Sequence, residues 1–146
     1  MPRLCMALAA LALMAFAGPS DDPRLLPRAY IVALQADPDA NGGRPVAVDV
    51  VVSCDATVGR LLQTMTAAQW FAQRDQLSHA SASLNITGWE ILPGQQVGGR
   101  RAIARKCAKA AVVYANYASP GEHRLVLGRD SHVTVLLRRD GIALKD

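Results

Sequence analysis

Apolar positions along this chain follow two different spacings, and the change between them separates strands from helices. Residues 28–35 (RAYIVALQ) and 46–53 (VAVDVVVS) are short, apolar and rich in β-branched side chains, a composition typical of strands. From residue 57 to residue 79 apolar side chains recur every three or four positions, which predicts helix. Thr66 and Gln69 have the spacing of a capping box, so a second helix is expected to begin there.

After the helical segment the strand pattern returns, interrupted by turn residues. Residues 86–92 precede a Pro-Gly turn, and three further short apolar runs cover residues 110–117, 123–127 and 131–138. At least six short strands with one helical segment among them predict a mainly β fold, an antiparallel β-sandwich with a short helical insertion. Trp70, on the second predicted helix, is expected to face the core.

The N-terminal apolar run differs from both patterns because it has no polar face. It covers residues 4–17, about 14 positions, whereas a helix needs roughly 20 to cross a bilayer. Arg3 precedes the run, and Ala15-Phe16-Ala17 ends it in the small-x-small pattern that signal peptidase recognises. We therefore expect a signal peptide at residues 1–17, an extended leader at 18–28 and one domain at 29–146, exported to the periplasm. A core helix in the N-terminal run is the alternative.

Composition and cysteine usage agree with an exported, folded domain. The chain is 51% hydrophobic, too apolar for a disordered protein, and its formal net charge of +4 is a mild basic excess. Beyond the predicted signal peptide the cysteines are Cys54 and Cys107, which form neither a CxxC motif nor a metal-ligand spacing with histidine. In an oxidising compartment they are expected to form a disulfide, and two buried free thiols are the alternative.

Residues with catalytic or metal-binding chemistry match no catalytic motif. The three histidines are not spaced as metal ligands, and the sequence has no nucleophile elbow, zinc-protease motif or phosphate-binding glycine loop. Cys54 with His123 or His132 as its base would make a nucleophile, but Cys107 is its simpler partner. With two tryptophans and few other aromatic residues, no stacking platform for nucleic acid is expected. We expect no enzymatic activity, no cofactor, no metal and no small-molecule substrate.

Two charged segments are candidate contact surfaces for a protein partner. Residues 36–45 (ADPDANGGRP) form a loop longer than a tight hairpin needs, and such surface loops often carry function. Residues 98–109 hold five basic side chains and no acidic one. A solvated strand or loop edge is the alternative for this second segment, as is contact with lipid headgroups. The predicted contact residues are Asp37, Asp39, Asn41, Arg44, Arg100, Arg101, Arg105 and Lys106.

The order of these segments resembles the TssJ family, the small outer-membrane lipoproteins of type VI secretion systems. The similarity covers most of residues 29–138. It consists of the strand RAYIVALQ, a loop with Asn and Gly that leads into Pro-Val-x-Val, a helical segment with QWFAQRDQL, the strand WEILPGQQV, and an Ala-rich strand that ends in an aromatic residue. The resemblance implies a transthyretin-like β-sandwich with a helical addition.

The resemblance also implies a place in the cell envelope. Members of the family face the periplasm, associate with the outer membrane and bind the periplasmic domain of their inner-membrane partner, TssM, partly through the loop between the first two strands, which here is residues 36–45. They carry an acylated lipobox cysteine, whereas this sequence has Ala17-Gly18-Pro19 at that place and a cysteine, Cys5, near its start. The resulting hypothesis is a non-catalytic periplasmic component of a type VI-like secretion apparatus. A soluble periplasmic inhibitor or immunity protein is the alternative.

Overall fold

The computed structural model describes residues 26–103 and 107–146. The predicted signal peptide, most of the predicted leader, and the candidate contact residues Arg105 and Lys106 lie outside this part of the chain. Eight strands and two helices are present in the described residues. They are β1 (Ala29–Ala36), β2 (Val46–Ser53), α1 (Ala56–Thr64), α2 (Ala67–Ala80), β3 (Leu84–Ile91), β4 (Gln96–Ile103), β5 (Ala110–Ala115), β6 (Arg124–Val126), β7 (His132–Leu137) and β8 (Ile142–Leu144).

The strands form two four-stranded sheets that pack face to face, so the predicted β-sandwich with a helical insertion is confirmed. The strand orders are β4-β1-β7-β8 in the first sheet and β3-β2-β5-β6 in the second. One pairing differs from the antiparallel expectation, because β1 and β7 run parallel, with Ile31 opposite His132. Strand β8 was not expected from the sequence, since three residues are too few to show an alternating pattern.

Burial along the strands shows which sheet the helices cover. In β1 every second residue is buried, as in a strand with one face on the core and one toward solvent. In β5 every residue is buried, and in β2 every residue except Ala47. The inner face of the second sheet packs on the first sheet, and its outer face packs on α1 and α2. As predicted, Trp70 faces a core, the one between the second sheet and the two helices. It has no exposed surface and stacks on Tyr114 at 5.2 Å between ring centroids.

The two helices begin at capped N-termini. The Asp55 carboxylate accepts hydrogen bonds from the backbone amides of Thr57 (2.7 Å) and Val58 (2.9 Å) at the start of α1. At the start of α2, Thr66 and Gln69 form the capping box that the sequence predicts. Both caps satisfy backbone amides that have no partner within a helix.

A buried carboxylate ties α2 to the sheet beneath it. Asp49, on the helix-facing side of β2, accepts hydrogen bonds from Trp70 Nε1 at 3.0 Å and from Arg74 Nε at 2.7 Å. Its side chain is 6% exposed and that of Arg74 is 39% exposed. Gly88 on β3 leaves room for the carboxylate, because a Cβ there would lie 2.7 Å from Asp49 Oδ1. The charge within β2 is therefore a structural link to the helix.

The sandwich has two ends with different contents. Four connections meet at one end, which we call the loop end: residues 37–45, 92–95, 116–123 and 138–141. The opposite end, which we call the leader end, contains residues 26–28 ahead of β1, the segment between β2 and α1, residues 107–109, the β6–β7 connection and the last two residues. No helix in the described residues has the length and apolar character needed to span a bilayer.

The predicted disulfide is present at the leader end. Cys54 follows β2 and Cys107 precedes β5, with their Cα atoms 5.0 Å apart. The bridge joins two neighbouring strands of the second sheet, where Ser53 pairs with Ala110. Because both sulfurs are in the bridge, Cys54 is not a free nucleophile.

Candidate functional site

The β1–β2 loop is held to the loop end by its backbone. The amide of Asp37 donates to the carbonyl of Leu137 at 2.8 Å, and the carbonyl of Asp37 accepts from the amides of Ala40 and Gly94, each at 3.0 Å. These bonds connect the loop to β7 and to the β3–β4 turn. The loop is therefore fixed by neighbouring elements at its first residue.

The centre of this loop is a tight turn in the left-handed region of backbone conformation. Asn41, Gly42 and Gly43 have φ angles of 51°, 63° and 81°. Glycine adopts this region without strain, and asparagine is one of the few other residues that tolerate it. The Asn-Gly-Gly sequence therefore determines the shape of the turn.

The Asn41 side chain fastens the turn to the next connection. Its Nδ2 donates to the carbonyl of Pro45 at 3.0 Å, and its Oδ1 accepts from the amide of Ala118 at 2.8 Å. The residue is 8% exposed, so the side chain is used by the protein itself. Among the predicted contact residues that the structure describes, Asn41 is the one that is buried, and partner contact by it stays a prediction.

The charged residues of the loop point outward. Asp37, Asp39 and Arg44 are exposed, and Asp39 lies 3.7 Å from Arg139 of the β7–β8 connection. A cleft of about 230 Å³ lies between the β1–β2 loop, the β5–β6 connection and the β7–β8 connection. Its lining residues are Asn41, Gly42, Arg44, Ala118, Ser119, Arg139 and Asp140. The loop end thus presents both signs of charge around an open polar cleft.

A buried tyrosine, Tyr117, links the β5–β6 connection to the β7–β8 connection. The Tyr117 hydroxyl lies 2.8 Å from the carbonyl oxygen of Arg138 and 2.9 Å from that of Gly141. Its ring stacks on His123 at 4.7 Å between centroids, and a His123 ring nitrogen lies 2.8 Å from the carbonyl of Ser119. Burial raises the pKa of Tyr117 above its usual range. Sequence reasoning missed this group, because its partners are backbone carbonyls more than 20 residues away.

The basic stretch lies elsewhere. Arg100 and Arg101 are exposed on β4, an edge strand of the first sheet, where they pair with Val32 and Ile31. The Arg100 guanidinium lies over the Trp89 ring at 5.5 Å. It also donates to the carbonyl of Gly88 at 3.3 Å, so it bridges the edges of the two sheets.

A glycine pair shifts the register of β4 just before these arginines. Leu34 pairs with Val97, whereas Val32 pairs with Arg100, so β4 has one extra residue in this interval. A Cβ at Gly99 would lie 2.5 Å from Ile31 Cγ2, which explains glycine at that position. The structure therefore separates the described contact residues, with those of residues 36–45 at the loop end and Arg100 and Arg101 along an edge strand toward the leader end.

Three acidic residues of the second sheet and of α1 lie in separate environments. Asp49 holds Trp70 and Arg74, Asp55 caps α1, and Glu90 is exposed on β3 opposite Ala47. Within residues 26–103 and 107–146, no group of three or more His, Cys, Asp or Glu side chains could hold a metal ion.

Comparison with solved structures gives consistent likenesses, whereas no protein-family model and no curated protein matches the chain. Serratia marcescens Lip, a membrane-bound component of the type VI secretion system, aligns with a TM-score of 0.62 at 15% identity, covering 81% of this chain and 97% of that chain. The lipoprotein TssJ1 of the type VI system from Pseudomonas aeruginosa aligns with a TM-score of 0.60 at 18% identity, covering 82% and 95%.

A third likeness is to a chain in a structure of the type VI secretion protein TssM C-terminal domain from EAEC. Its TM-score is 0.61 at 16% identity, and the alignment covers 81% of this chain and 98% of that chain. At such identities the likeness concerns the fold. This chain therefore has the TssJ-like β-sandwich fold that is found in lipoproteins of type VI secretion systems.

Proposed function

We propose that this protein is a non-catalytic periplasmic component of a type VI-like secretion apparatus, and that its loop end binds the periplasmic part of an inner-membrane partner resembling TssM. The observation that carries the proposal is the built β1–β2 loop, fixed by Asn41 and exposing Asp37, Asp39 and Arg44. A loop that is ordered before binding loses little conformational entropy when a partner docks on it.

The position of the loop relative to the N-terminus supports an orientation in which the loop end faces a periplasmic partner. Residues 26–28 approach β1 at the leader end, and the β1–β2 loop lies at the opposite end of the sandwich. A domain held at a membrane by its leader end would direct its loop end away from that membrane and toward a partner in the periplasm. The type VI assignments of the structural neighbours agree with this place in the envelope.

The charges of the loop end support a polar contact rather than an apolar one. Asp37 and Asp39 carry negative charge, and Arg44 and Arg139 carry positive charge around the cleft. Mixed charges of this kind determine the orientation of a partner and exclude surfaces with the wrong pattern. Partner binding should therefore depend on charge sign at individual positions.

The test is capture of a purified periplasmic TssM domain from the same host. We expect Arg44→Glu to weaken binding by about tenfold or more, because like charges then meet across the contact. The matched control is Arg60→Glu, since Arg60 is exposed on α1 and its side chain bonds only to Thr57 within the described residues.

Both variants should keep the wild-type circular dichroism spectrum and urea midpoint. Equal binding by Arg44→Glu and the wild type would contradict the assignment of the β1–β2 loop. Absence of binding by the wild-type protein itself would overturn the proposed function. Capture of a secreted toxin or hydrolase in place of the TssM domain would favour the inhibitor class.

A further inference from the structure

The two ends of the sandwich differ in the balance of their charges. At the loop end, Arg139 lies 3.7 Å from Asp39, and Arg124 lies 3.2 Å from Glu122. At the leader end, exposed basic side chains form no ion pair with any acidic group of the described residues. They are Arg28, Arg101, Lys109, Arg129 and Lys145.

The backbone pairings place these residues around the rim of the leader end. Arg28 precedes β1, and Arg101 pairs with Ile31 near the end of β4. The amide of Lys109 donates to the carbonyl of Ser53 at 2.7 Å, beside the disulfide. Arg129 is in the β6–β7 connection, and Lys145 follows β8. The five cations thus come from five separate parts of the chain, whereas the segment between β2 and α1 contributes none.

Fewer acidic groups lie at this end. They are Asp55, Asp130 and Asp146, and the Asp55 carboxylate already accepts the two amides at the start of α1. The leader end is therefore positive on balance, whereas the loop end carries both signs, including two ion pairs. A surface of unpaired positive charge attracts anions within about one Debye length, roughly 8 Å at physiological salt.

We propose that the leader end is a docking surface for a membrane leaflet rich in anionic phospholipid headgroups. Lipid is favoured over an acidic protein because the five cations come from separate parts of the chain around one end of the sandwich, an arrangement that fits an extended anionic surface. The inference extends the proposed function, since it names the surface that would hold the domain at its membrane while the loop end faces a partner.

The strength of such docking follows from the number of cations near the surface. Each Lys or Arg close to an anionic leaflet raises membrane partition by about fivefold. Removing three of them should lower partition by roughly 100-fold. The effect should vanish at an ionic strength of about 1 M, where the Debye length is roughly 3 Å.

The test compares two triple variants that each remove three positive charges. The leader-end variant is Arg28→Gln, Lys109→Gln and Arg129→Gln, all at exposed positions. The loop-end control is Arg44→Gln, Arg138→Gln and Arg139→Gln, also at exposed positions. Protein purified from the periplasm of an expression host is sedimented with vesicles of phosphatidylglycerol and phosphatidylethanolamine, or of phosphatidylcholine alone.

We expect the wild type and the loop-end variant to bind the anionic vesicles and the leader-end variant to lose most binding. Neutral vesicles should bind all three proteins weakly. Equal loss in both triple variants would overturn the proposal, because net charge would then be the cause. Unchanged binding by the leader-end variant would also overturn it.

The same two variants separate this inference from the proposed function. The leader-end variant should capture the TssM domain as well as the wild type, and the loop-end variant should not. Vesicle binding without TssM capture would support the docking surface and contradict the proposed function. TssM capture without vesicle binding would support the proposed function and overturn the docking surface.

Discussion

Asn41 provides a quantitative test of how the β1–β2 loop is held. Replacing it with alanine removes two side-chain hydrogen bonds, to the Pro45 carbonyl and from the Ala118 amide. Each such bond contributes about 0.5–1.5 kcal/mol to stability. Alanine at a φ of 51° adds roughly 1 kcal/mol of backbone strain. We expect Asn41→Ala to lower the free energy of unfolding by about 2–4 kcal/mol.

Two further substitutions separate these contributions. Asn41→Gly removes the same hydrogen bonds but relieves the backbone strain, so it should cost about 0.5–1 kcal/mol less than alanine. Asn41→Asp keeps an acceptor for the Ala118 amide and loses the donor to Pro45, so it should be intermediate. The control is Asn116→Ala, at an exposed asparagine whose side chain forms no hydrogen bond within the described residues, with a change below about 0.5 kcal/mol.

The assay is urea unfolding followed by tryptophan fluorescence, since Trp70 is buried and stacked in the native state. A wild-type midpoint for Asn41→Ala would refute the claim that this side chain holds the loop. A glycine variant less stable than the alanine variant would refute the strain argument. Capture of the TssM domain by Asn41→Ala should weaken, because the loop must then be ordered at the cost of binding.

Three further predictions concern the rest of the domain. Arg74→Met should lower the free energy of unfolding by about 2–4 kcal/mol in urea unfolding, because it leaves the Asp49 carboxylate buried with Trp70 as its remaining donor, and a wild-type midpoint would contradict this link. Cys54→Ala combined with Cys107→Ala should cost about 4 kcal/mol, since the bridge closes a 53-residue separation, and reduction with dithiothreitol should lower the wild-type midpoint to that of the variant. Burial raises the pKa of Tyr30 from 10.0 to about 12, so its phenol stays protonated in the folded state while the unfolded chain ionises, and stability should fall as pH rises from about 10 to 12. Burial also raises the pKa of the other two tyrosines, so a spectrophotometric titration that shows phenolate in the native protein near pH 10 would contradict this expectation.

Features that depend on neighbours in sequence were predictable. The alternating and β-branched patterns located β1 and β2, and the spacing of Thr66 and Gln69 located the start of α2. The disulfide was predictable by counting, because Cys54 and Cys107 are the two cysteines beyond the predicted signal peptide and have one possible pairing. In each case the deciding contacts lie within a few residues, or a single partner was available.

The candidate site was predictable as a segment but not as a geometry. Composition marked residues 36–45 as a loop, but it did not show that Asn41 would be buried by an amide 77 residues away. It also did not show that the Tyr117 hydroxyl would brace the β7–β8 connection. The sequence predicted both the basic stretch and the loop as contact surfaces without showing where they lie relative to each other. The register of β4 against β1 shows that Arg100 and Arg101 lie away from the loop.

The sequence by itself determined the class of fold and the helical insertion, because periodicity and caps act locally, and it left Cys54 and Cys107 as the one cysteine pair beyond the predicted signal peptide. Tertiary structure decided the parallel pairing of β1 with β7, the use of Asp49 as a link to α2, and the meeting of four connections at the loop end. These depend on which strands become neighbours in a sheet. Strand order is set by the burial of whole faces, which no single segment of the sequence specifies.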